Sequence, residues 1–185
     1  MTSNIDSAGL FLVNTLFSLY AYTLILRILL QWVRADFYNP MAQFVWKVTN
    51  PPTQLLRQVV PRYRQLDIPA LVVLLAVVFL NILVDLLIIG RGAGVVTILW
   101  ISLLKVLTLT INLMTITILV QAVMSWFGAS MHSPASSLLF SVNEPMLRPV
   151  RRVLPPIGGL DLSPLVVILV LQVLIRLIPL PYVFR

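Results

Sequence analysis

The chain has 185 residues, of which 59% are hydrophobic and only 10% are charged, and its mean hydropathy is +1.00. A soluble domain carries about a quarter charged residues, so this composition excludes that class and indicates a membrane protein. A net charge of +7 would suggest nucleic acid in a soluble chain, but eight of the thirteen Lys and Arg residues lie in two loops beside apolar segments. That distribution reflects membrane insertion, so we expect no nucleic-acid partner.

Four apolar stretches are about as long as the ~20 residues that a helix needs to cross a bilayer. They cover residues 9–33, 68–90, 106–127 and 162–180, and the fourth is stopped by Pro179 and Pro181. The third belongs to a longer apolar run over residues 95–127, about 50 Å as one helix, which exceeds one upright crossing. Residues 95–104 are therefore either interfacial or part of the third span.

A proline follows a polar residue near the start of each long loop, as Asn39-Pro40 and Ser133-Pro134. A polar N-cap followed by proline at the first helical position is a common helix start. Apolar residues then recur at helical spacing, which predicts a short amphipathic helix in each loop. Such helices are too short to span a bilayer, so they should lie in the interface or between the spans.

A second short segment is predicted to begin after Asn50-Pro51 in the first loop and after Glu144-Pro145 in the second. Glu144 would then act as a helix cap, because an acid complements the positive end of the helix dipole. The sequence thus predicts two short helices in each loop.

The second half of the chain repeats the first. Shifted by 94 residues, residues 32–75 align without a gap on residues 126–169, and fourteen of the 44 positions are identical. The identities include Trp32/Trp126, Pro40/Pro134, Pro51/Pro145, Arg57/Arg151, Pro61/Pro155 and Asp67/Asp161. Apolar composition alone would not align these residue types, so we predict a tandem duplication with repeats over residues 1–92 and 93–185. Two spans per repeat preserve direction, so the repeats should be parallel.

Residues 143–164, which read NEPMLRPVRRVLPPIGGLDLSP, carry a resemblance. This run is similar to the signature of the YggT (YlmG-like) family of small integral membrane proteins, and the resemblance covers both repeats. The first repeat departs from it, because Arg62-Tyr63-Arg64 stand where the second has Pro-Ile-Gly. The resemblance implies an all-α polytopic protein with four transmembrane helices. It also implies a role in membrane organisation, assembly of membrane complexes or osmotic and ion tolerance.

The basic residues predict the topology. The N-terminal tail has no Lys or Arg, and the short hairpin after the second span has only Arg91. By the positive-inside rule both long loops are cytoplasmic and both termini are periplasmic, as expected for a bacterial inner-membrane protein.

The loop arginines are candidate contact residues: Arg57, Arg62, Arg64, Arg148, Arg151 and Arg152. Near anionic headgroups each basic residue gains about 1 kcal/mol. They either set the topology alone or also bind anionic lipids at the cytoplasmic face, a membrane-protein partner or a second copy of the chain.

Polar residues also recur within the spans, as Thr23, Arg27 and Gln31 and again as Thr117, Gln121 and Ser125. Their spacing of four puts each set on one helix face. Polar groups in hydrocarbon turn inward, so this intramembrane polar stripe either holds helices together or lines a hydrated path. Arg27 is also close enough to the cytoplasmic surface to extend its side chain to water.

Three charged residues are expected near the outer end of the helix bundle. Asp85 and Arg176 lie at similar depths in repeat-equivalent helices, so they either form an ion pair or extend separately to water. Lys105 is the competing partner of Asp85 if the third helix begins near Val95.

No residue pattern supports catalysis. Cysteine is absent and His132 is the only histidine, so we expect neither a metal site nor a cofactor. The sequence therefore favours a non-enzymatic scaffold or assembly factor that acts through its basic cytoplasmic loops and helix contacts. The alternative is an oligomeric channel or transporter for ions.

Overall fold

The computed structural model is all-α. It describes residues 4–58, 67–90, 92–126, 133–154, 161–181 and 184. Within these ranges the chain forms six helices and no strand, which confirms the predicted all-α class. The helices are α1 (Asn4–Trp32), α2 (Pro40–Arg57), α3 (Ile68–Ile89), α4 (Val95–Trp126), α5 (Pro134–Val153) and α6 (Ser163–Leu177).

Three helices are long and apolar enough to cross a membrane, which indicates a membrane protein. They are Ala8–Trp32 within α1, Ile68–Ile89 and Val95–Ser125 within α4. Because α4 is continuous from Val95, residues 95–104 belong to the same helix as the predicted third span.

The predicted fourth span, residues 162–180, is helical over only part of its length. Helix α6 has 15 residues, so it covers about 22 Å of a hydrocarbon core that is about 30 Å thick. Ile178 leaves the helix with a ψ of 121°. It precedes Pro179, and the ring of a following proline disfavours the helical conformation. A helix of full spanning length is therefore present in only three of the four predicted places.

The prediction of two short helices per loop is also wrong. In the described part of each loop one helix is continuous, through Pro51 and Pro52 in α2 and through Pro145 and Pro149 in α5. In α2 the buried face continues on both sides of the prolines, through Ala42, Val45, Thr49 and Thr53. Tertiary packing of that face overrides the local preference of proline to end a helix.

The two predicted N-caps are confirmed. The Asn39 side chain accepts a hydrogen bond from the Met41 N–H at 2.9 Å. The Ser133 side chain accepts one from the Ser136 N–H at 3.1 Å. Each cap is followed by a proline in the first turn, where the missing N–H removes no helical bond.

Two buried apolar clusters hold the helices together. In the first, Leu24 of α1 packs with Leu74 and Ile82 of α3 and with residues of α4. In the second, Ile118 of α4 packs with Leu147 of α5 and with residues of α6. Helix α1 packs on α2 and α3, and α4 packs on α5 and α6. Polar side chains are buried at these same helix junctions.

Candidate functional site

Arg27 is wholly buried where α1, α2 and α3 meet. Its guanidinium donates to Asp67 Oδ2 from Nη2 at 2.9 Å and from Nε at 3.1 Å, and Nη1 donates to Thr49 Oγ1 at 2.9 Å. The expectation that Arg27 reaches water is therefore wrong. A buried charge without a counter-charge is strongly unfavourable. The carboxylate of Asp67 supplies that counter-charge, which allows Arg27 to lie inside the protein.

Two further residues complete this group, which we call the arginine cluster (Arg27, Trp46, Thr49, Arg57 and Asp67). Arg57 Nη2 lies 3.4 Å from Asp67 Oδ2, so two guanidinium groups share one carboxylate. The Trp46 ring centroid lies 4.0 Å from the Arg27 Cζ atom and 5.2 Å from that of Arg57. The cluster therefore carries one net positive charge, and cation–π contacts stabilise it further.

The second half of the chain places neutral amides at the matching junction. Shifted by 94 residues, Gln121 stands at the position of Arg27 and Asn143 at that of Thr49. Asn143 Nδ2 donates to Gln121 Oε1 at 2.8 Å, and Thr117 Oγ1 donates to Asn143 Oδ1 at 2.8 Å. These bonds fasten α5 to α4 without a charge.

Arg151 joins two carboxylates at the loop-side end of the second half. Its Nε lies 2.8 Å from Asp161 Oδ2 and its Nη1 lies 2.8 Å from Glu144 Oε2. Burial raises the pKa of Asp161, but hydrogen bonds from Ser163 and Arg151 outweigh this effect and hold the pKa below its ordinary value. Glu144 lies inside α5 and pairs with Arg151, so the expectation that it caps a helix is wrong.

Four polar side chains form a second buried group near the α3–α4 turn, which we call the outer ring (Asn14, Asn81, Asp85 and Lys105). Lys105 Nζ donates to Asn81 Oδ1 at 2.7 Å, Asn81 Nδ2 donates to Asn14 Oδ1 at 2.8 Å, and Asn14 Nδ2 donates to Asp85 Oδ1 at 2.9 Å. The ring closes with Lys105 Nζ 3.9 Å from Asp85 Oδ2. It joins α1, α3 and α4.

The predicted ion pair between Asp85 and Arg176 is wrong. Asp85 faces Lys105, the competing partner, because α4 begins at Val95 and carries Lys105 between its neighbours. Arg176 lies exposed in the last turn of α6, a helix that packs on α4 and α5.

The remaining members of the polar stripe do not form one continuous face. Thr23 Oγ1 donates to the Tyr20 carbonyl of its own helix at 2.7 Å, Gln31 is half-buried, and Ser125 is exposed. Between the outer ring and the arginine cluster the fully buried side chains are apolar, including Leu24 of α1 and Val78 of α3. Within the predicted stripe, Arg27 bonds to α2, and Thr117 and Gln121 bond to α5.

The loop arginines divide into two groups. Arg57 and Arg151 are partly buried in ion pairs, whereas Arg148 and Arg152 are exposed. The predicted residues Arg62, Arg64, Arg91 and His132 lie outside the described residues.

Five members of these groups were not among the candidate site residues: Asn14, Trp46, Thr49, Asp67 and Asn81. A visible signal existed for Asn81, because it interrupts an otherwise apolar stretch of α3. A polar residue in such a helix turns toward a partner within the bundle. No comparable signal distinguished Trp46 or Thr49, whose neighbours come from other helices.

The chain is similar to known proteins over most of its length. The CCB3/YggT family model matches residues 7–88 and again residues 100–182. The YggT protein of Escherichia coli (strain K12) is 39% identical over 165 residues, which cover 89% of this chain and 85% of that protein. The PA0392 protein of Pseudomonas aeruginosa is 32% identical over 176 residues, 94% of this chain and 89% of that protein. No solved structure matches significantly. The chain belongs to the CCB3/YggT family.

Proposed function

We propose that the protein is a non-enzymatic scaffold of the bacterial inner membrane, which binds a membrane-protein partner or another copy of itself through α2 and α5. The observation that carries this proposal is the way these two helices are fastened. The Arg27–Asp67 pair and Thr49 hold α2 against α1 and α3. The bond between Asn143 and Gln121 holds α5 against α4.

The two loop helices are also joined to each other. Asn39 Nδ2 donates to the Pro134 carbonyl at 2.7 Å and lies 2.9 Å from Ser137 Oγ. The start of α2 is therefore fixed to the start of α5. A surface that is ordered before binding loses less conformational freedom when a partner arrives, which favours a role in docking.

The surface that these helices present has the composition of an interaction site. On α2 and just before it, Tyr38, Phe44 and Leu55 are 85%, 61% and 70% exposed. Arg148 and Arg152 of α5 are exposed as well. Aromatic residues and arginine are enriched where proteins bind one another, and basic residues also attract anionic lipids.

We further propose the topology in which this surface is cytoplasmic. In this topology α6 and the non-helical residues 178–180 together form the fourth crossing, and both termini are periplasmic. The two repeats, residues 1–92 and 93–185, then lie parallel in the membrane. The eight basic residues of the two long loops, against a single Arg91 in the short hairpin, support this orientation.

The alternative is an oligomeric channel or transporter for ions. The buried charges of the outer ring favour it, since ionisable groups within a membrane often serve ion pathways. The apolar side chains between the outer ring and the arginine cluster disfavour a path inside a single chain. A path would have to form between subunits.

Photocrosslinking in native membranes tests the docking proposal. A photoreactive residue at Phe44 should yield a discrete protein adduct, either with a partner or with a second copy. The matched control is Val170, which is 54% exposed on α6 and should give lipid adducts only. Equal lipid-only labelling at both positions would contradict docking. An ion flux in liposomes that Gln121→Leu abolishes would instead favour transport.

A further inference from the structure

A shallow cavity of about 190 Å³ opens at the loop-side end of α1. Its polar walls are Gln31 and Arg34, and its aromatic walls are Phe37 and Trp46. It is smaller than the ~300–1,000 Å³ that drug-sized ligands occupy, so it suits a compact chemical group. The docking surface proposed above does not include it.

Arg34 has an unusual backbone conformation. Its φ is 53°, and it is the single non-glycine residue with positive φ in the part of the chain that the structure describes. The Ala35 N–H bonds to the Leu30 carbonyl at 2.9 Å across it, which is the closing bond of a helix end that usually has glycine at this position. The matching residue of the second half is Gly128. Residues held in such conformations cluster at functional sites, which makes the Arg34 side chain a candidate ligand contact.

The charges around the cavity favour an anion. The Arg34 side chain is exposed and forms no hydrogen bond or ion pair with any residue that the structure describes. Asp36, the nearest acid in the sequence, is exposed and accepts the Tyr38 N–H at 2.9 Å, and no ion pair joins it to Arg34 among the described residues. Trp46 connects the cavity to the arginine cluster, which adds one net positive charge.

The cavity also contains an acceptor without a donor. Gln31 Oε1 is buried, and no described group donates a hydrogen bond to it. A buried acceptor that has lost water and gained no donor is unfavourable. A ligand that pairs with both polar lining residues therefore has a phosphate or similar anion, which contacts Arg34, and a hydroxyl, which donates to Gln31.

We propose that this pocket binds the headgroup of a phosphatidylglycerol-type lipid from the adjacent leaflet. The phosphate contacts Arg34, a glycerol hydroxyl donates to Gln31 Oε1, and the acyl chains lie along the exposed rings of Trp32 and Phe37, which are 52% and 55% exposed. This inference goes beyond the docking role and does not depend on it.

The test uses the purified full-length chain, delipidated in neutral detergent. Native mass spectrometry measures lipid retention, and the melting temperature is followed with phosphatidylglycerol, phosphatidylcholine or inorganic phosphate. Both lipids carry a phosphate for Arg34, but phosphatidylcholine adds a positive choline and lacks the hydroxyl that donates to Gln31, so phosphatidylglycerol should bind about tenfold more tightly. Inorganic phosphate should give no comparable stabilisation.

Two pocket variants and one control separate specific binding from bulk charge. Arg34→Gly should abolish the lipid preference while the lipid-free protein stays as stable as the wild type or gains stability, because glycine relieves the positive φ. Gln31→Leu should weaken phosphatidylglycerol binding but not that of phosphatidylmethanol, whose headgroup has no hydroxyl. Arg148→Gln removes the same charge from an exposed loop position and should leave the preference intact.

Each contrary result is decisive. If Arg148→Gln lowers retention as much as Arg34→Gly does, bulk charge and not the pocket binds the lipid. If inorganic phosphate stabilises the protein as well as phosphatidylglycerol does, the pocket is a free-anion site. The assay contains no protein partner, so its failure leaves the docking proposal standing, and failed docking leaves this proposal standing.

Discussion

Arg27 and Asp67 form an ion pair in which both side chains are 0% exposed and Nη2 lies 2.9 Å from Oδ2. The pair joins the C-terminal half of α1 to the residue that caps α3, and Thr49 of α2 binds the same guanidinium. Three helices therefore depend on one buried charge. Loss of either Arg27 or Asp67 alone should therefore destabilise the fold, because an unpaired buried charge is far less favourable than the ion pair.

The first prediction removes that charge. Arg27→Leu should lower the free energy of unfolding by about 3–5 kcal/mol, because Asp67 then keeps only the Ala70 N–H and, as its counter-charge, Arg57 at 3.4 Å. Denaturant or thermal unfolding in detergent measures the loss.

The second half of the chain supplies the matched control. Arg27→Gln combined with Thr49→Asn copies Gln121 and Asn143, which hydrogen-bond at 2.8 Å. This double variant should be more stable than Arg27→Leu, and it should also be more stable than Arg27→Gln alone. If all three variants lose the same free energy of unfolding, the amide pair of the second half cannot replace the arginine junction of the first half.

The second prediction concerns the outer ring. Asp85→Asn and Lys105→Met should each destabilise the protein, and the double variant should recover part of the sum, with a coupling of about 0.5–3 kcal/mol. The reason is that each single change leaves the other charge buried. Arg176→Gln, on an exposed residue, should change stability by less than about 0.5 kcal/mol. Strict additivity of the Asp85 and Lys105 losses would rule out the pair.

The third prediction is a dependence on pH. The folded-state pKa of Asp161 lies below the ordinary value of 3.8. Its ionised form therefore stabilises the folded state above that value, and this contribution is lost as the pH falls through the lowered folded-state pKa. Asp161→Asn should be less stable than the wild type near neutral pH, and the difference should shrink below pH 3.8. A difference that stays constant down to acid unfolding would contradict the argument.

The fourth prediction is the membrane orientation. The chain has no cysteine, so a single introduced cysteine is a unique label. Lys47→Cys, exposed on α2, should react with an impermeant reagent only after cells are opened, whereas Gly92→Cys should react in intact cells. A side chain at Gly92 meets no atom within 4 Å, so this variant should not disturb the fold. Labelling with the opposite sidedness would invert the topology.

The fifth prediction concerns the packing of α5. Leu147 is 0% exposed, so Leu147→Ala should cost about 2–5 kcal/mol and increase protease cleavage in this loop. Val153 lies on the same helix but is 83% exposed, and Val153→Ala should have little effect. Similar cleavage rates for the two variants would show that the α5 face is not a packed one.

Local chemistry in the sequence determined where most helices begin and end. Asn39 and Ser133 cap α2 and α5 as predicted, because a polar cap followed by proline acts through the nearest few residues. Local reasoning failed at Pro51 and Pro145, where the preference of proline to end a helix lost to the burial of a continuous helix face. It also overestimated the length of α6, which ends just before Pro179.

The tertiary structure alone decided which charges meet. Hydropathy located Arg27, Asp85, Lys105 and Arg176 within apolar segments, yet their depth along the helices did not identify their partners. Arg27 meets a residue 40 positions away, and Asp85 meets Lys105 because of how α4 packs against α3. A sequence pattern defines the face of a helix on which a side chain lies. Which helix covers that face depends on packing between segments that are distant in the chain, so only the folded structure determines it.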